Sequence, residues 1–189
     1  MTKFIKTVVP TEGYREVKQI GEKYVVHLSP SFGEDTTECY ECIVDSFPDM
    51  EELEDELTAY KGHLAEVELD IAKGQKIAEL EEYDQSDAVD GFTIGGQTMW
   101  LKVDERQQIA TQINANEAAG RTEMTRWFGG HPFVFPLTKW RHMLTLLEVY
   151  AGDAINVTEA HKAAINALTS LADVQEYDFT VGYPEKLEF

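Results

Sequence analysis

The chain has 189 residues, 43% of them hydrophobic, which suits one or two cored domains and excludes disorder throughout. Lys plus Arg number 16 against 35 Asp plus Glu, and the net charge of −19 argues against phosphate backbones and anionic membrane surfaces as partners. Cys39 and Cys42 are too few for a disulfide scaffold.

Taken in order, residues 1–22 read as an extended arm with a turn at Pro10–Gly13. No apolar h-region follows Lys3 and Lys6, and nothing approaches the ~20 apolar residues of a membrane span, so folding in a cytoplasm is expected. Lys23–Ser29 and Glu38–Val44 read as two strands around a Pro30–Asp35 loop, a small hairpin unit that must pack on something. A long helix follows. Ser46 is its expected N-cap, with Pro48 in the first turn and Asp49, Glu51 and Glu52 at the positive end of the dipole.

Within that helix Met50, Leu53, Leu57, Tyr60, Leu64, Val67 and Ile71 recur at gaps of 3 and 4, a heptad seam over residues 50–71. Gly74 stands where the next seam residue would fall, which predicts a bend or a change of partner. In a parallel homo-oligomer Glu56 would face Lys61 and His63 would face Glu68, whereas Asp49 against Glu54 would repel. Leu69 lies on the outward face and suggests a second contact. Residues 45–90 hold 16 acids against Lys61, Lys73 and Lys76, consistent with a solvated acidic face or a basic partner surface.

Tyr83–Gly91 reads as a polar connector and domain boundary. Gly95-Gly96 predicts a tight hairpin, because both turn residues take positive φ freely. Asp104 is the expected cap of a helix ended by Gly120. Thr122–Phe128 and Phe133–Phe135 predict a second hairpin around a four-residue turn, Gly129–Pro132. Thr138 is expected to cap a helix with Trp140, Met143, Leu144, Leu147, Tyr150, Ala151 and Ala154 on one face. A separate helix is expected over Thr158–Leu168, a short one from Ser170, and an extended tail over Tyr177–Phe189. The expected fold is α+β: an N-terminal arm and β-hairpin unit (1–45), a connecting helix (46–82), and a C-terminal domain of two hairpins packed on helices (83–189).

Candidate chemistry is sparse. Cys39-Tyr-Glu-Cys42 has C-x-x-C spacing but lies in a predicted strand, where the two side chains point to opposite faces, and lacks the further ligands a zinc site needs. His27, His63, His131, His142 and His161 form no i,i+3 or i,i+4 pair. Carboxylate pairs such as Glu52 and Glu56 sit on a face expected to be solvated, where nothing raises a general acid's pKa. The spacing predicts no catalytic residue, no cofactor site and no metal site. Trp100, Trp127, Phe128, Phe133, Phe135 and Trp140 cluster around the two hairpins, as core or as a sugar-stacking platform.

One resemblance covers about residues 77–189. It is carried by Tyr83–Val89, Phe92–Leu101, Arg106, Ala118–Gly120, Trp127-Phe128, Met143–Ala151, Asn156–Thr158, His161-Lys162, Tyr177-Asp178 and Gly182–Leu187. On these residues the chain resembles a family of unknown biochemical activity from phages and prophages of Bacteroidetes, whose members are described as tail-associated or other virion proteins. The resemblance implies a non-enzymatic virion structural or interaction protein, tail- or fibre-associated, found in the virion and in the host cytoplasm during assembly. Its partners would be other phage structural proteins; the heptad seam at 50–71, outside the resembled residues, separately suggests a homo-oligomer formed through that helix. The alternatives are a tail or fibre assembly chaperone and a host-glycan-binding module.

Overall fold

A computed structural model describes residues 2–189. The chain is α+β and divides into two compact units, residues 1–70 and 71–189.

Unit 1 is a four-stranded antiparallel sheet, β1 (Ile5–Pro10), β2 (Val17–Ile20), β3 (Lys23–Phe32) and β4 (Thr36–Val44), in the order β1-β4-β3-β2. The expected arm is therefore two strands of this sheet, and the expected hairpin is its centre. β1 pairs with β4 from Ile5↔Glu41 to Pro10↔Thr36, a non-local pairing that no turn signal announces. β2 reaches β3 through Gly21-Glu22, with Gly21 at φ 65°. β3 continues through Pro30 because the ladder shifts register between Leu28 and Ser31, with Ser29 at φ 51°. β2 pairs only as far as Val26, so Pro30 lies where β3 has a neighbour on one side, which a residue without an N–H tolerates. One sheet face, with Val26, Leu28 and Cys42, packs with Phe4 against Leu53 and Leu57 of the long helix.

That helix, α1 (Met50–Asp84), is continuous. It begins three residues later than an N-cap at Ser46 predicts. Asp49 caps it, its Oδ1 accepting from Glu51 N–H at 3.1 Å and Glu52 N–H at 3.3 Å. α1 passes through Gly74 without interruption, and a Cβ there would meet nothing within 4 Å. What changes is the partner: Leu53 and Leu57 belong to the core of unit 1, while Leu80 is buried in unit 2.

Unit 2 contains β5 (Phe92–Ile94), β6 (Gln97–Met99), α2 (Val103–Ala118), β7 (Glu123–Phe128), β8 (His131–Pro136), α3 (Leu137–Ala167) and α4 (Leu171–Glu176). Both hairpins turn on two glycines with positive φ, Gly95-Gly96 and Gly129-Gly130. The second turn is thus two residues long rather than four. Pro132 lies inside β8 opposite Trp127, on a two-stranded ribbon where its missing donor costs no ladder bond to a third strand. α2 starts at Val103, one residue before the expected cap Asp104, and Glu105 Oε2 accepts from Lys102 N–H at 2.9 Å. α3 is a single 31-residue helix. Neither Thr138 nor Thr158 caps it: the helix begins at Leu137, and Thr158 is buried in its interior. Ser170 caps α4 as expected, its Oγ accepting from Asp173 N–H at 3.1 Å. The tail returns to β5, where Thr93 bridges Glu188 in parallel and Phe189 N–H donates to Thr93 O at 2.8 Å. The unit's core gathers Phe92, Ile94, Ile109, Ile113, Trp140, Met143 and Leu147.

Candidate functional site

The expected site residues fall into separate places. In the seam, Leu53 and Leu57 are buried and Met50 and Tyr60 half-buried against the sheet. Leu64, Val67 and Ile71 are 37%, 40% and 55% exposed, and every residue from 62 to 68 is exposed. Leu69, read as an outward contact, is half-buried. Two of the charges expected to pair between chains, Glu56 and Lys61, have partners within unit 1. Glu56 Oε2 accepts from Thr2 N–H at 3.2 Å, which lowers its pKa, and Lys61 Nζ donates to Ser29 Oγ at 2.8 Å and lies over the Tyr40 ring. The N-terminal half of the seam is thus an intrachain core contact, and the remainder is open.

Of the six aromatics, Trp140 is fully buried, its Nε1–H donating to Met124 O at 3.1 Å. Trp100, Phe128, Phe133 and Phe135 are half-buried against the same core. Strand alternation turns Trp127 to the other side, where it is 66% exposed beside Pro132 and Val134. The six therefore do not form a platform with two exposed rings on one face.

Cys39 and Cys42 are both free and buried, and burial raises both thiol pKa values. Cys42 lies in the helix-facing core, and its position three residues on puts Cys39 on the opposite face. His27 is buried in unit 1, with Nδ1–H donated to Arg15 O at 2.8 Å and Nε2 3.2 Å from Glu41 Oε2. Among the described residues no group of three or more His, Cys, Asp or Glu side chains could hold a metal ion, and no helix is long and apolar enough to cross a membrane.

The most chemically varied concavity lies in unit 2, where α1 ends. It is a cavity of about 290 Å³ lined by Asp84, Asp90, Trp100, Lys102, Arg106 and, on its apolar side, Val103, Ala151, Ala154 and Ile155. Larger hollows of about 530 and 590 Å³ exist, but neither brings an aromatic wall together with two carboxylates and two cations. Elements of different kinds supply the groups: Asp84 is the last residue of α1, Asp90 closes the turn after it, Trp100 follows β6, Arg106 sits in α2 and Ile155 in α3.

Hydrogen bonds hold several of these groups in place. Thr158 donates to Asp84 Oδ1 at 2.6 Å, so Tyr183 OH, 2.8 Å away, donates to Thr158. Arg106 donates from Nε to Glu148 Oε1 at 2.8 Å and from Nη1 to Leu101 O at 2.6 Å, and its guanidinium lies over the Trp100 ring at 5.5 Å. Tyr150 packs edge-on against Trp100 and donates to Val89 O at 2.7 Å. Burial raises the Asp90 pKa, and repulsion from Asp84 raises it further, against the pull of Lys186 and Arg106. Burial lowers the Lys186 pKa; its ammonium donates to Asp87 O and Val89 O.

Sequence reasoning missed this site. Asp84 and Asp90 are six positions apart, and their neighbours in the cavity come from three later segments, so no local spacing encodes it. Comparison with protein-family models, with curated proteins and with solved structures found no match.

Proposed function

We propose that this chain is a non-enzymatic docking or connector component of a phage virion, associated with the tail or a fibre, that self-associates through the open part of the α1 seam. The observation that carries the reading is the exposure of Leu64, Val67 and Ile71 in register with a seam whose first half is already used. A helix that is exposed all round for a full turn or more, yet keeps apolar residues at heptad positions, is suited to pairing with another helix. The two separately cored units give such a protein two surfaces for different neighbours. The virion assignment rests on the resemblance over residues 77–189.

Light scattering on the size-exclusion eluate tests the association. The expected mass exceeds 21.4 kDa and falls towards it on dilution and in a Leu64→Asp, Val67→Asp double variant. A concentration-independent monomer removes the oligomer from the reading. Mass spectrometry of purified particles separates a virion component, retained in them, from an assembly chaperone, absent from them.

A further inference from the structure

The cavity at the end of α1 has a lining whose charges balance. Asp84 and Asp90 contribute two negative charges, Lys102 and Arg106 two positive ones. A simple anion would meet both carboxylates, and a simple cation would meet both basic groups. A ligand without net charge that carries adjacent hydroxyls satisfies both at once, because each hydroxyl donates one hydrogen and accepts others. Arg106 has five N–H donors, and Glu148 and Leu101 O engage three of them, which leaves two. Asp84 keeps one oxygen free of the Thr158 hydrogen bond.

The remaining wall is apolar. Trp100 is half-buried, Ala151 and Ala154 are buried, and Val103 and Ile155 are 58% and 59% exposed. Exposed branched side chains beside a half-buried indole suit a ligand with a C–H face. The volume of about 290 Å³ lies at the small end of ligand pockets and suits one ring. The polar groups are also held before any ligand arrives: Tyr183 and Thr158 fix Asp84, and Glu148 and Leu101 O fix Arg106.

We propose that this cavity binds one pyranose ring of a glycan, with Asp84 and Asp90 accepting from ring hydroxyls, Arg106 and Lys102 donating to them, and Trp100 and Ile155 against the C–H face. Hydroxyl donors would also stabilise the charge on Asp90, which is half-buried and repelled by Asp84. Of the six aromatics the site uses Trp100 alone, and it is independent of the seam, so loss of sugar binding and loss of self-association are distinguishable results.

Saturation-transfer NMR on the full chain tests it, with glucose, galactose, mannose and N-acetylglucosamine each at about 10 mM, and with L-lysine and L-alanine as charged and zwitterionic controls. At least one sugar is expected to show transfer with a Kd on the order of 1 mM. Asp90→Asn and Ile155→Trp, which fills the mouth from an exposed position, should each weaken it at least about tenfold. Trp127→Ala, on the outer face of the second hairpin, should leave it unchanged. Amide spectra that overlay away from the cavity establish that each variant is folded; if Asp90→Asn is not, Ile155→Trp carries the test. No transfer to any of the four sugars overturns the proposal. So does transfer that survives Ile155→Trp, or binding of lysine or alanine that the sugars do not displace.

Discussion

Asp90 shows how a site can work against the stability of its own fold. Its folded pKa lies above its ordinary value of 3.8, so the folded chain holds that proton to higher pH than the unfolded chain does. Below the ordinary value both states are protonated and nothing is lost. As pH rises through the window between the two values, stability falls, and at neutral pH the ionised carboxylate is a burden. Asp90→Asn should therefore raise Tm by about 1–3 °C at neutral pH and leave it unchanged below the ordinary carboxylate range, in paired thermal melts. Arg106 is the opposite case. Its guanidinium is buried, so Arg106→Ala strands the Leu101 carbonyl, whereas Glu148 is half-exposed and can be rehydrated. A cost of about 2 kcal/mol in urea denaturation is expected, below the 3–5 kcal/mol of a fully buried pair.

At the scale of elements, α1 carries one periodic stripe with two environments. Leu57 and Leu64 are consecutive a positions and indistinguishable by pattern, yet one is 2% and the other 37% exposed. Leu57→Ala should cost about 2–5 kcal/mol by opening the sheet–helix core. Leu64→Ala should change the stability of the monomer by less than about 0.5 kcal/mol while weakening any oligomer. Urea titration combined with sedimentation separates the two effects. The start of the helix is a second element-scale test. Asp49→Ala removes an acceptor for two orphan N–H groups and should cost about 1 kcal/mol, whereas Ser46→Ala should cost nothing measurable. α3 shows the reverse of a missed boundary. Thr158 has the residue type of a cap, but its hydroxyl is used across the unit on Asp84, and the helix runs on to Ala167.

For the whole molecule, two hydrophobic clusters with no shared residue imply two cooperative blocks. Calorimetry should resolve two transitions, with Leu57→Ala lowering one and Trp140→Ala, which removes a fully buried indole and its bond to Met124 O, lowering the other. A single transition moved equally by both substitutions would refute independent blocks. The net charge of −19 acts on the same scale: self-repulsion should make any α1-mediated oligomer tighter at high salt, where screening is stronger.

The sequence by itself determined what local chemistry controls. The Gly95-Gly96 turn, the Ser170 cap, the α+β class and the long helix with its heptad stripe all follow from residues within a few positions of one another. Positive φ, side-chain caps and 3.6-residue periodicity are properties of adjacent residues. Tertiary structure decided everything that required distant segments to meet. β1 became an edge strand because β4 offered it a ladder some thirty residues away, and Pro30 stayed in a strand because the ladder from β2 ends at Val26 of β3. The seam was divided because a sheet covers only its first half. The cavity arose because Asp84, Asp90, Trp100, Arg106 and Ile155 come from five segments that only packing brings together. Burial is a property of the folded chain, so the sequence supplied the groups but could not say which would be desolvated.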